Sequence, residues 1–203
     1  MKRKIFIEGV DPNKRAYIGW QDESLSLQGV KMGYKSSADT LVEKAMEQGS
    51  KGRIDILDTY IFPIIFLYRH SIEIGLKHIY FRVCGKLPGG GHDLLTIWDK
   101  IDKEVFNYFS DINNIEEINK NYNTNKPPFF INNAEKNEIK RLLKELQADD
   151  AHCEIWRYLI NKKGRLYFSE WDYIDYNNLK NTLTWLYEEL DGIYCYLDDL
   201  LQV

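Results

Sequence analysis

Residues 177–201 read NNLKNTLTWLYEELDGIYCYLDDLL, and Leu179, Leu183, Leu186, Leu190, Ile193, Leu197 and Leu200 recur alternately at every fourth and third position. That is the period of an α-helix with one unbroken apolar seam. Three heptads are short for a free coiled coil, so the seam reads first as the core-facing side of a bundle helix. An inter-subunit seam is the alternative. Asn177 or Asn178 stands where a cap belongs. The surrounding charges, Lys180 against Glu188, Glu189, Asp191, Asp198 and Asp199, make this helix a poor surface for RNA.

Working outward, the same period recurs. Ser36 caps a helix whose apolar side is Ala38, Leu41, Val42, Ala45 and Met46, ending at Gly49 or Gly52. A second runs from about Asp55 to Cys84, with Pro63 marking a kink or its first turn and Gly85 the stop. Its stretch Tyr60–Leu67 is apolar on every side and reads as buried all round. His92-Asp93 opens a third helix through Phe109, with Leu94, Ile97, Trp98, Ile101 and Val105 inward, and 134–148 forms a fourth around Ile139, Leu142, Leu143 and Leu146. The fold expected is therefore all-α, an antiparallel bundle of four to five helices over residues 36–203. Residues 1–35 form a small irregular annex in which Lys4–Ile7 and Arg15–Trp20 pair as a β-hairpin across Asp11-Pro12-Asn13. Ten Asn between 107 and 137, with Pro127-Pro128, make 106–133 a long surface loop. Arg165–Phe168 reads as a short strand.

Composition narrows the function classes. With 203 residues, 44% of them hydrophobic, there is apolar mass for one core, and a net charge of −4 excludes a polycationic nucleic-acid glove. The most apolar run, Tyr60–Tyr68, is followed at once by Arg69, His70, Glu73 and Lys77, so no membrane span is expected. The basic start is broken by Glu8 and Asp11 before a leader core forms. Cys84, Cys153 and Cys195 lack any CxxC spacing, and His70, His78, His92 and His152 lack i, i+4 pairing. The expectation is a cytoplasmic protein with free thiols, no metal and no cofactor. Fourteen Tyr, nine Phe and five Trp exceed what one bundle core hides, which favours a homodimer.

One polar row stands out. Arg69, Glu73 and Lys77 share a face at i, i+4 and i+8 of a helix that is otherwise buried, and His70 neighbours Glu73. Charges there must pair with one another or line a cleft. The row is expected to face His92 and Arg157. Candidate catalytic residues are Arg69, His70, Glu73, His92, His152 and Arg157; candidate ligand-binding residues are Arg69, Lys77, His92 and Arg157.

Phe66-Leu67-Tyr68-Arg69-His70-Ser71-Ile72-Glu73-Ile74-Gly75-Leu76-Lys77 resembles the long second helix of HEPN-like (higher eukaryotes and prokaryotes nucleotide-binding) proteins of bacteria. Gly91-His92-Asp93-Leu94 is similar to the start of that family's next helix, Trp156-Arg157-Tyr158 to its later aromatic-Arg-Tyr element, and Met32–Val42 to its earlier helix. The resemblance covers residues 32–203. It implies a helical bundle, often homodimeric, in toxin–antitoxin or phage-defence systems, with RNA or a nucleotide as ligand and a partner protein. Active members are metal-independent ribonucleases with an Arg-x4–6-His motif. None of the eight arginines here has a histidine at that spacing. The resemblance therefore implies a non-catalytic or atypical binding or regulatory component. An endoribonuclease with a rearranged Arg/His site, or a structural dimer or adaptor, are the alternatives.

Overall fold

The computed structural model describes residues 5, 9–18, 22–147, 154–160, 163–168 and 173–202. The chain is mostly helical, at 74%. Among the described residues, Arg165–Phe168 forms no strand; its one β feature is an antiparallel bridge between Ile160 and Leu166.

Helix α1 (Glu23–Gly49) starts well before Ser36, and Asp22 is its cap, its Oδ1 accepting from the Leu25 amide at 2.8 Å. A boundary at 35/36 therefore falls inside a helix. The early turns escaped notice because their buried position is Lys31 rather than an aliphatic residue. The expected hairpin is not formed by the described part of the annex. Pro12–Lys14 is a single 3-10 turn capped by Asp11, and Lys4, Phe6, Ile7, Gly19 and Trp20 lie outside the described residues.

A four-residue turn reverses the chain into α2 (Ile54–Cys84). A Cβ at Gly49 would stand 2.7 Å from Leu57 Cδ1, so a larger residue there would require the Leu57 side chain to move. Helix α2 ends on Gly85 at φ 65°, whose amide donates to Phe81 O. Pro63 sits inside the helix on its exposed side. Tyr60–Leu67 is only partly covered, contrary to the all-round burial expected. The buried stretch is instead Tyr68–Tyr80, apart from His70 and Lys77. The middle of α2 is enclosed because α1, α8 and the α3 region all pack on it.

Helix α3 (Leu94–Lys100) passes through a π-helical turn (Ile101–Phe106) into α4 (Asn107–Ser110). Leu94, Ile97, Trp98, Ile101 and Val105 are all fully buried, and the wider turn lets Val105 and its neighbour Phe106 both enter the core. Residues 106–133 are not one loop. Asp111 caps α5 (Ile112–Tyr122), which buries Ile115 and ends on Asn123 at φ 53°. The asparagine-rich composition masked an amphipathic helix. Only 123–132 is irregular, and it buries Phe129.

Helix α6 (Asn133–Gln147) packs on α3, and the short α7 (Ile155–Tyr158) on α2. Helix α8 (Tyr176–Leu201) is capped by Asp175, whose Oδ1 accepts from the Asn178 amide at 2.6 Å, rather than by Asn177 or Asn178. Six of its seven seam residues are buried within this chain, and Leu179 is half-buried. The seam is intramolecular core. Among the described residues no helix is long and apolar enough to cross a membrane.

Candidate functional site

Glu73 is the hub of the polar row. Its side chain is 1% exposed and its carboxylate accepts from Lys77 Nζ at 2.6 Å and His92 Nδ1 at 2.9 and 3.1 Å. Arg69 Nη1 lies 3.5 Å away and His70 Nδ1 3.9 Å away. Burial alone would raise the Glu73 pKa, but His70, Lys77 and His92 together overcome it and hold the carboxyl at about 2. Glu73 is an anion at every physiological pH.

Local sequence explains the geometry. Successive helical turns place Arg69, Glu73 and Lys77 one above another. The left-handed Gly85 stops α2, and a turn closed by Asp93 N to Gly90 O brings His92 back beside Glu73. Asp93 then caps α3, its Oδ1 accepting from the Thr96 amide at 2.7 Å. Arg69 is fully buried, and its Nη2 donates to the His92 carbonyl at 2.9 Å. Arg69 thus fastens the loop to the helix and faces no solvent. The exposed surface is made by His92, half-exposed, with Lys77 and His70 at the margin. His70 is held by aromatic neighbours: Tyr34 edge-on at 4.6 Å and Phe66 stacked at 5.8 Å.

A carboxylate only accepts hydrogen bonds, so His92 meets Glu73 with Nδ1–H. The exchangeable lone pair of the neutral ring is then on Nε2. This face presents the Lys77 ammonium and the His92 ring at its surface above the buried Glu73 carboxylate. It is suited to an oxyanion. Among the described residues, no group of three His, Cys, Asp or Glu is placed to hold a metal ion.

The structure therefore brings together Arg69, His70, Glu73, Lys77 and His92. Arg157 is not among the groups on Glu73. It is exposed on α7, its guanidinium 5.4 Å from the Tyr158 ring, while α7 meets α2 through Trp156 and Phe62. His152 lies outside the described residues.

A second polar seam, on the opposite packing of α2 against α1 and α8, was not anticipated. Ser71 Oγ donates to Lys31 O at 3.0 Å, and a Cβ at Gly75 would stand 3.5 Å from Lys31 Cδ. His78 Nε2 lies 3.1 Å from Ser24 Oγ and its ring stacks on Tyr194 at 3.9 Å. Lys31 pairs with Asp191. The signal was present as small or polar residues at 71, 75 and 78, one face of one helix. Gln147 was also missed: its Oε1 accepts from the Leu94 amide at 2.6 Å.

No family model, curated protein or solved structure matches the chain.

Proposed function

We propose that this chain is a HEPN-like helical protein acting as a non-catalytic or atypical binding component of a bacterial defence or toxin–antitoxin system, with RNA phosphate as the ligand of the α2–α3 face. The observation that supports this most is the arrangement on Glu73. One buried carboxylate orients a half-exposed His92 and a marginal Lys77, with Arg69 locking the loop beneath. Such a face offers an oxyanion the Lys77 ammonium as an oriented donor at little ordering cost, joined by His92 Nε2–H when the ring carries its second proton.

The test is fluorescence anisotropy of a labelled single-stranded RNA against wild type, Lys77→Ala and His92→Ala. The expected result is about tenfold weaker binding in each variant, with a shallower salt dependence for Lys77→Ala. Equal binding by all three overturns the proposal.

One observation favours a second reading, a metal-independent endoribonuclease. Glu73 holds His92 at Nδ1 as a carboxylate orients a catalytic imidazole, leaving Nε2 to take or return a proton. Incubation with RNA in EDTA separates the two: cleavage lost in His92→Ala favours the enzyme, and binding without cleavage favours the binding protein. The homodimer belongs to the same proposal, and light scattering after size exclusion tests it.

A further inference from the structure

Away from this face, a cavity of about 450 Å³ opens between the 128–131 segment, the start of α6 and the second half of α8. Its size is that of a small-molecule site. Aromatic rings form much of the wall: Phe129 is buried, Tyr196 lies 5.2 Å from it, and Phe130 is 73% exposed. On α8 the wall passes over Gly192, where a Cβ would meet nothing within 4 Å. The missing side chain is part of the opening.

Two carboxylates, Glu135 and Glu189, line the same cavity, and no Lys, Arg or His lines it among the described residues. The bases nearest in sequence are committed elsewhere. Lys136 pairs with Asp102, Arg141 with Glu138 and Glu145, and Lys126 with the Asp199 end of α8. Asn132 Nδ2 donates to Glu135 at 3.0 Å, which fixes that carboxyl without neutralising it. Aromatic faces attract ammonium groups, and paired carboxylates require a proton or a cation between them. Walls and charge ask for the same occupant.

We propose that this cavity binds a small aliphatic amine as its ammonium ion, the charged nitrogen at Glu135 and Glu189 and the alkyl chain against Phe130, Ile193 and Tyr196. The site is independent of the α2–α3 face. Burial, and then hydrogen bonding to the Glu135 carboxyl, push the Glu189 pKa up.

The probe is 1,5-diaminopentane, titrated into the full chain and followed by calorimetry and by the methyl resonances of Ile131 and Ile193. Pentane-1,5-diol and sodium chloride at matched ionic strength are the controls. The expected result is saturable binding in the millimolar range or tighter, absent with both controls. It falls by about tenfold or more in Glu135→Gln and Glu189→Gln and is blocked by Gly192→Leu. A wild-type chain that shows no saturable shift, or the same shift with the diol, overturns the proposal, as does unchanged affinity in both glutamine variants. A capped lysine distinguishes the source of the ammonium group. Tighter binding of the free diamine supports the assignment, and tighter binding of capped lysine overturns it in favour of a lysine-bearing protein partner.

Discussion

Lys31 is 2% exposed and its ammonium pairs with Asp191, a carboxylate that keeps 33% of its side chain in solvent. The two ends of this pair are therefore unequal. Around the ammonium stand the rings of Tyr187 at 5.3 Å and Tyr194 at 5.5 Å.

That inequality predicts unequal costs. Asp191→Asn removes the carboxylate that pairs with this buried cation and should cost about 3–5 kcal/mol, the range for breaking a buried pair. Lys31→Met keeps the volume of the side chain and leaves Asp191 to water, so it should cost about 1 kcal/mol or less. Urea unfolding of the two variants checks this. Equal losses would count against it.

Arg69 and its neighbours on Glu73 should separate in the same way. Arg69→Ala leaves a cavity, frees the His92 carbonyl and weakens the neutralisation of Glu73, and is expected to cost about 3–5 kcal/mol. Lys77→Ala and His92→Ala each remove one hydrogen bond to the buried Glu73 carboxylate, which keeps its other partners, and each should cost less, about 1–2 kcal/mol. Denaturation midpoints for the three variants decide it. A small loss in Arg69→Ala would mean that the buried guanidinium does not hold the loop.

The seam of α8 and the row on α2 were legible because each repeats one residue class at helical spacing. The return of His92 onto Glu73 was legible as well, since Gly85 and the glycine run 89–91 mark where the chain must turn. What was not legible had a local disguise. The first half of α1 hides because its buried position is Lys31, covered by a partner more than a hundred residues away. Helix α5 hides beneath asparagines, which composition assigns to loops although Ile112, Ile115 and Ile118 keep helical spacing. Tyr60–Leu67 misled in the other direction: an apolar run states what can be buried, and only packing states what is.

Gln147 links the end of α6 to the start of α3, and sequence spacing gives no hint of it. Its Oε1 takes the Leu94 amide at 2.6 Å and lies 3.4 Å from that of Leu95, donors that the first turn of a helix leaves without partners. Gln147→Met keeps the volume but strands the buried Leu94 amide, at an expected cost of about 1–3 kcal/mol. Hydrogen exchange at Leu94 and Leu95 should accelerate more than at Ile139 on α6. Uniform acceleration across α3 and α6 would show that the residue serves only packing.

His78 sets the pH dependence of the fold. It is fully buried against Tyr194, and burial, followed by the positive charge of Lys31, lowers its pKa to about 4, against about 6.5 in an unfolded chain. Arg82 acts in the same direction, while Asp191 and Asp198 oppose it. Between these two values the unfolded chain holds a proton that the native protein does not. Stability must therefore fall as pH is lowered through that window, by at most about 1.4 kcal/mol per pH unit from this one group. Glu73 acts lower on the scale: with its carboxyl held at about 2, the stability it contributes is complete above the ordinary carboxylate range and is lost as pH falls toward 2. His78→Gln keeps a polar group for Ser24 Oγ and does not titrate. Urea midpoints at pH 7, 6 and 5 should decline more steeply for wild type than for this variant, and parallel declines would remove His78 as the cause.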